Sequence, residues 1–147
     1  MSLAGPMFEN GLIKFKIKKQ DKQNKGSNMK IQDLKIVLEQ HELWINSDRK
    51  EGSRADLSGQ DLTGADLRGA NLTDAILRDA NLNGVNLSGA NLHYADLTHA
   101  NLTDADLTRA NLSRANLSWA YLTDASLYRA HLVGAKLTRA DLISADL

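Results

Sequence analysis

A leucine recurs every five residues from Leu57 to Leu147, and this period restricts the fold of the 147-residue chain more than any other feature. An alanine lies two positions before each leucine, except at Gln60 and Val85, and Asp or Asn usually lies between the two. The repeating unit is therefore Ala-Asp/Asn-Leu-x-x. A period of five matches neither an α-helix nor the two-residue alternation of a long strand. It predicts a short extended side followed by a corner, repeated in phase.

Within each unit, Ala and Leu point the same way on an extended side, and the Asp or Asn between them points outward. The next two residues are of types that tolerate turns, as in Ser58-Gly59 and Thr63-Gly64. Sides and corners that alternate in this way form a coil filled with Ala and Leu. The composition, 42% hydrophobic but 5% aromatic, agrees with such a narrow aliphatic core.

With units such as Ala65-Asp66-Leu67 and Ala110-Asn111-Leu112, the region from Ala55 to Leu147 resembles the pentapeptide-repeat family. This resemblance implies an all-β fold, a right-handed quadrilateral parallel β-helix with four pentapeptides per coil, preceded by an N-terminal α-helical cap. At 20 residues per coil, the 93 residues of 55–147 give about 4.7 coils and a rod of roughly 22 Å.

Residues 29–54 are predicted to form a capping helix and a linker. The helical period runs from Met29 to about Ile45, and its apolar stripe contains Ile31, Leu34, Leu38, His41 and Trp44 or Ile45. An isolated helix of this length is marginal in water, so the stripe is expected to dock on the first coil. The same helix is expected to supply a partner for Gln60, the inward amide of that coil.

Residues 1–28 are predicted to be a flexible leader, because polar residues, Gly5-Pro6 and Asn10-Gly11 support little structure. Alternation of apolar and basic residues over 13–18 leaves two other interpretations open, a short strand against the body and a basic arm. The segment is either native or includes non-native residues upstream of Met29.

Positions 20 residues apart are expected to stack. Asn71, Asn91 and Asn111 then form an outer amide ladder. His99, Trp119 and Arg139 share one corner, and Arg109 and Arg129 share another. Exposed Trp beside Arg is typical of interaction hot spots. The predicted partner-binding surface consists of His99, Arg109, Arg114, Trp119, Arg129 and Arg139. The alternative is a solvated corner on which an Arg stacks over the indole.

No pattern in the sequence indicates chemistry. There is no cysteine, catalytic motif or phosphate-binding glycine loop. His41 is interpreted as a packed residue of the cap, and His93, His99 and His131 fall in different register classes, which disfavours a metal site. The recurrent aspartates belong to the repeat itself. We therefore expect no enzyme activity, no metal and no cofactor.

The function predicted from these features is a non-enzymatic structural or interaction module that presents a rigid, repetitive surface to an unknown protein partner. The family resemblance implies an alternative, a DNA-mimic binder of DNA gyrase or topoisomerase. Residues 55–147 carry 7 basic and 11 acidic residues, a net charge of −4, which is only mildly acidic. Direct nucleic-acid binding and membrane association are not expected, and the predicted location is cytoplasmic.

The repeat continues in phase to Asp146-Leu147, without a capping helix or a polar terminator. An uncapped coil exposes unpaired backbone groups, the same hazard as a sheet edge. Either further residues follow in the native protein or the edge is covered. A C-terminal end-to-end homodimer is predicted, since two copies related by a twofold axis cover one another.

Overall fold

The computed structural model describes residues 31–147, which form one α-helix followed by a coil of parallel β-bridges. The helix, α1, spans Ile31–Asn46. Fifteen bridges follow, from Asp56 with Ile76 to Ser126 with Asp146, and each joins residues 20 apart. Four repeats therefore make one coil, as the family resemblance implied. Each side contributes a single bridged residue, the one between Ala and Leu. Within 31–147 the sides are therefore isolated bridges and not extended strands of several residues.

Backbone hydrogen bonds hold successive coils together on both edges of each side. Leu102 donates its N–H to the Tyr121 carbonyl in the next coil at 2.7 Å. Asn101 donates to the Ala80 carbonyl in the previous coil at 2.9 Å. Each side of the inner coils is thus bonded to the coil above and to the coil below, which satisfies its polar backbone groups around a closed core, whereas the sides of the first and last coils have a neighbouring coil on one edge only.

Each corner depends on a left-handed residue at its second position. Throughout 59–144 the residue at this position has a positive φ, for example +65° at Gly59 and +62° at Trp119. Glycine adopts this conformation freely, whereas another L-residue loses about 1 to 2 kcal/mol there. The glycines of the first coil therefore follow from the turn, while Trp119 occupies a strained backbone.

The Ala and Leu side chains fill the interior, as predicted. Leu102 is fully buried, and so is Val85, which fits within the coil. Gln60 is only partly buried, and among the residues described its side chain forms no hydrogen bond with α1. The expected partner from the helix was wrong, because this position near the end of the rod still reaches water.

The Asp and Asn side chains on the outer faces support the corners. Asp61 Oδ1, for example, accepts the N–H and the hydroxyl of Thr63 at 3.1 and 2.6 Å. This arrangement is an Asx-turn, and it recurs along the rod. The predicted amide ladder forms in part, since Asn111 Nδ2 donates to Asn91 Oδ1 at 3.1 Å but no such bond joins Asn91 to Asn71.

Helix α1 packs on the first coil through Leu34, which is buried, and through Leu38, which is partly buried. The predicted helix ended near Ile45, one residue before the observed end, and its expected start at Met29 lies outside the described residues. The leader 1–28 lies outside them as well. Arg49 joins the end of the helix to the rod through an ion pair with Asp74, at 2.6 Å.

Gly52 allows the chain to turn closely past the helix. It has a φ of +71°, and a Cβ there would lie 2.3 Å from the Gln40 carbonyl oxygen. A side chain would therefore collide with the helix backbone. The predicted linker after the helix depends on this glycine.

Candidate interaction surface

The interior of the rod is filled, so any site must lie on its outer surface. A shallow depression of about 460 Å³ lies on this surface beside Gly89, Asp106, Arg109 and Tyr128. Within 31–147, no three His, Cys, Asp or Glu side chains are grouped so as to hold a metal ion. The surface offers contacts rather than an enclosed reaction site.

His99, Trp119 and Arg139 form a continuous stack on one corner. The rings of His99 and Trp119 are 5.8 Å apart at an angle of 21°. The Arg139 guanidinium lies 4.4 Å from the indole centroid, on the next coil. Trp119 is nevertheless 43% exposed. The column predicted from the 20-residue spacing is present, with its indole accessible to solvent and held between two neighbours.

The other predicted arginines lie on two further corners, and two of them stack on tyrosines. Arg114 lies 5.4 Å from the ring of Tyr94 and donates a hydrogen bond to its hydroxyl. Arg129 lies 5.1 Å from the ring of Tyr128. Arg109 lines the shallow depression together with Tyr128. The six predicted residues therefore do not form one cluster, because they are distributed over three corners.

Two features of this surface were missed in the sequence analysis, namely the tyrosines and Lys136. Tyr94 precedes Arg114 by 20 residues, and Tyr128 precedes Arg129 directly. The same spacing that placed Trp119 beside Arg139 would have found the pair of Tyr94 and Arg114. Lys136 occupies the outer Asp/Asn position of its repeat, where a cation departs from the motif.

The ionised aspartates of the outer faces have structural partners. The Thr63 hydroxyl and N–H lower the pKa of Asp61. Hydrogen bonds from Arg68 lower the pKa of Asp66. Burial would raise the pKa of Asp96, but hydrogen bonds from Thr98 and Arg78 outweigh it and lower the pKa. These carboxylates are held in their charged form by the corners, which is the opposite of what a general acid requires.

His41 is the fully buried polar side chain at the junction of α1 with the first coil. Its Nδ1 accepts the N–H of Ala55 at 3.1 Å, and Nε2 has no hydrogen-bond partner among the described residues. Burial lowers the pKa of His41, so the neutral imidazole is favoured. This placement agrees with its interpretation as a packed residue of the cap.

A coil of parallel bridges with a 20-residue repeat and a closed Ala/Leu core defines a solenoid repeat protein. The model of the family described as pentapeptide repeats matches residues 53–89, 86–123 and 115–147, with 8 copies. The matched residues cover about two thirds of the chain, which therefore belongs to the pentapeptide-repeat family, whose members form right-handed β-helices. No curated protein is significantly similar to the chain.

Several solved structures are similar to this chain. A pentapeptide repeat protein from the thylakoid lumen of Arabidopsis thaliana is 39% identical with a TM-score of 0.61, over 63% of this chain and 64% of that one. The chain thus spans just under two thirds of that relative. Rfr23, a pentapeptide repeat protein from the cyanobacterium Cyanothece 51142, is 34% identical with a TM-score of 0.35, over 63% of this chain and 67% of that one.

QnrB1, a plasmid-mediated fluoroquinolone resistance protein, is 26% identical in one of its structures, with a TM-score of 0.31, over 63% of this chain and 57% of that one.

Within residues 31–147, no helix has the length and apolar content that crossing a membrane requires.

Proposed function

We propose that the protein is a non-enzymatic interaction module whose rigid corners bind a protein partner. The observation that carries this proposal is the stacked column of His99, Trp119 and Arg139. An indole that is 43% exposed yet fixed between two neighbours loses little side-chain entropy on binding. Tryptophan and arginine are also the residue types that dominate binding energy at protein interfaces.

Photo-crosslinking tests this proposal. A photoreactive amino acid replaces Thr138, beside Arg139, or Ser58, which occupies the matching corner position in the first coil. The Thr138 probe should trap a defined protein from native extract, and the Ser58 probe should not. Trp119→Ala should abolish the product. Equal trapping at both positions, or a product that Trp119→Ala leaves unchanged, would contradict the proposal.

We propose further that α1 caps the first of about 4.7 coils. Leu34 joins the hydrophobic core of the rod, and His41 accepts a hydrogen bond from Ala55 at the start of the repeat. These contacts cover leucines of the first coil that would otherwise face water. The same contacts support the proposed boundary between the cap with its linker, residues 29–54, and the β-helix, residues 55–147.

For the C-terminal end we propose an end-to-end homodimer of this chain. Leu137 and Leu142 are only partly buried, and Ile143 and Leu147 are 66% and 72% exposed. Light scattering at micromolar concentration should give twice the monomer mass. Replacement of Leu142 and Leu147 by Asp should return the monomer. A monomer before and after these substitutions would exclude the dimer.

Binding to DNA gyrase or topoisomerase is the alternative that the family resemblance implied. A surface that mimics DNA has to be acidic along its length. Here only the first coil is strongly acidic, with four Asp against one Arg over 55–74. A supercoiling assay with gyrase and a fluoroquinolone separates the two functions, because only a gyrase binder changes the effect of the drug. We expect no change.

The proposed location remains the cytoplasm, although the relative from Arabidopsis thaliana comes from the thylakoid lumen. Cell fractionation followed by immunodetection would decide between a cytoplasmic and a membrane-enclosed location. A signal in a sealed, protease-protected compartment would refute the proposal.

A further inference from the structure

The cations of the rod differ in their partners along its length. Arg68 pairs with Asp66 at 2.7 Å, and Arg78 pairs with Asp96 at 2.6 Å. In the later coils, none of the cations lies within 4.0 Å of a carboxylate of the described residues 31–147. These cations are Arg109, Arg114, Arg129, Lys136 and Arg139. Their charge is therefore available to an outside partner.

Three of these cations are oriented by an aromatic ring rather than by an acid. The guanidinium groups of Arg114, Arg129 and Arg139 lie 5.4, 5.1 and 4.4 Å from ring centroids. Arg139, the nearest to its ring, has its N–H donors available to match a carboxylate in two-point geometry, whereas Arg114 already donates one N–H to the Tyr94 hydroxyl and keeps its others. The rings thus fix the arginines without neutralising them.

The bridge register brings three of the cations around one outer face. Asn116 bridges to Lys136, so both lie on the side that separates two neighbouring corners. Arg114 occupies one of these corners, and Trp119 and Arg139 occupy the other. We name this surface, made of Arg114, Asn116, Trp119, Lys136 and Arg139, the basic face.

Two details keep the basic face open and positive. Gly134 follows Arg114 in the same corner column, and a Cβ there would lie 3.3 Å from the Arg114 Cγ. The glycine gives the arginine stem room to lie across the corner. The aspartate of this face, Asp96, is one coil below Asn116 and is already bonded to Arg78 and Thr98.

We propose that the basic face binds an extended acidic segment of a partner protein, an inference that rests on the proposed interaction function. In an extended segment every second side chain points the same way, so alternate Asp or Glu residues meet the cations together. The indole of Trp119 supplies an apolar contact between them.

A nucleic acid fits this surface less well. The repeat region has 7 basic and 11 acidic residues, and its first coil is the most acidic part of the rod. A long polyanion that followed the rod would meet those aspartates, whereas tight binding of DNA requires many phosphate contacts. A short acidic segment needs only the basic face.

Calorimetric titration with three probes tests the inference on the full chain. The probes are a peptide of alternating Glu and Ala, the same peptide with Gln in place of Glu, and a single-stranded oligothymidine of similar length. The Glu peptide should bind, more weakly as salt increases, and the Gln peptide should not. The triple variant Arg114→Gln/Lys136→Gln/Arg139→Gln should bind the Glu peptide at least about tenfold more weakly. Arg68→Gln, whose arginine is paired within its own repeat, is the matched control and should bind as the unmodified chain does.

Absence of binding by the Glu peptide, or binding that the triple variant leaves unchanged, would overturn the inference. Stronger binding of oligothymidine than of the Glu peptide would also overturn it and would assign the face to nucleic acid. These outcomes are separable from the proposed function, because the Thr138 crosslink reports a protein partner of any charge. A Trp119-dependent crosslink without Glu-peptide binding would leave the interaction function in place and reject only the acidic segment.

Discussion

Leu102→Ala should lower the free energy of unfolding by about 4 kcal/mol. The side chain is fully buried, and truncation removes three carbon atoms, worth about 2.4 kcal/mol in transfer from water. The coil has little freedom to close the cavity, because the 2.7 and 2.9 Å backbone bonds of Leu102 and Asn101 fix its spacing. A residual cavity adds to the transfer loss and places the total in the upper half of the range of about 2 to 5 kcal/mol.

Urea unfolding followed by circular dichroism measures this effect. Thr108→Ala is the surface control, since it removes one 3.2 Å hydroxyl contact with Ser126, which is worth about 1 kcal/mol or less. Leu142→Ala, in the partly buried last coil, should fall between the two. Equal losses at Leu102 and Thr108, or a loss at Leu102 smaller than at Leu142, would refute the assignment of the leucines to a rigid closed core.

Backbone strain, the N-terminal helix and the buried histidine each give a separate expectation. Gly84→Ala should destabilise the protein by about 1 kcal/mol, because its φ is +62° although no atom beyond its chain neighbours lies within 4 Å of the added Cβ. In the same column the Asp104→Gly variant should be more stable than the Asp104→Ala variant by a similar amount. A higher urea midpoint for Gly84→Ala than for the unmodified chain, or for Asp104→Ala than for Asp104→Gly, would contradict this. Deletion of residues 1–45 should expose the first coil and cause aggregation in size-exclusion chromatography, whereas deletion of 1–26 should give a soluble product; a soluble product from both would show that the helix caps nothing. Burial lowers the pKa of His41 from 6.5, so the unfolded chain takes up the proton first and the unfolding free energy should fall as pH decreases below about 6.5. His41→Gln should remove that decrease between about pH 7.5 and 5.5, and an unchanged pH dependence would exclude His41 as its source.

The sequence was sufficient to predict the core and the columns, because the leucine period has no break in phase. Once four repeats form a coil, the 20-residue offset follows, and it correctly placed Trp119 over His99 and Asn111 over Asn91. The coil size itself came from the family resemblance. A five-residue period alone does not determine how many extended sides make up one coil of the β-helix.

The details that escaped prediction depend on local geometry. Gln60 was assigned a helix partner because its position is inward, but the degree of exposure near the end of the rod cannot be read from the repeat. The stack of Arg129 on Tyr128 joins residues within one corner, which the 20-residue columns do not reveal. The open ladder between Asn91 and Asn71 depends on amide orientation. Repeat phase defines a position, whereas side-chain rotamers determine its contacts.

The stability of the fold does not account for the residues at the corner of Trp119. Trp119 and Arg139 both have left-handed backbones, with φ of +62° and +58°. Two such residues cost about 2 to 4 kcal/mol relative to a free turn, whereas their cation-π contact returns about 0.5 to 1 kcal/mol at an exposed site. In the first coil this column begins with Gly59, which adopts the left-handed backbone at a lower conformational free energy than Trp119 or Arg139 does. Left-handed non-glycine residues occupy most other corners as well, among them Asp104 and Arg129, so this cost belongs to the turn and does not by itself indicate a function. What distinguishes the corner of Trp119 is that a large indole and a guanidinium stack there while the indole stays exposed to solvent, as the proposed partner surface requires.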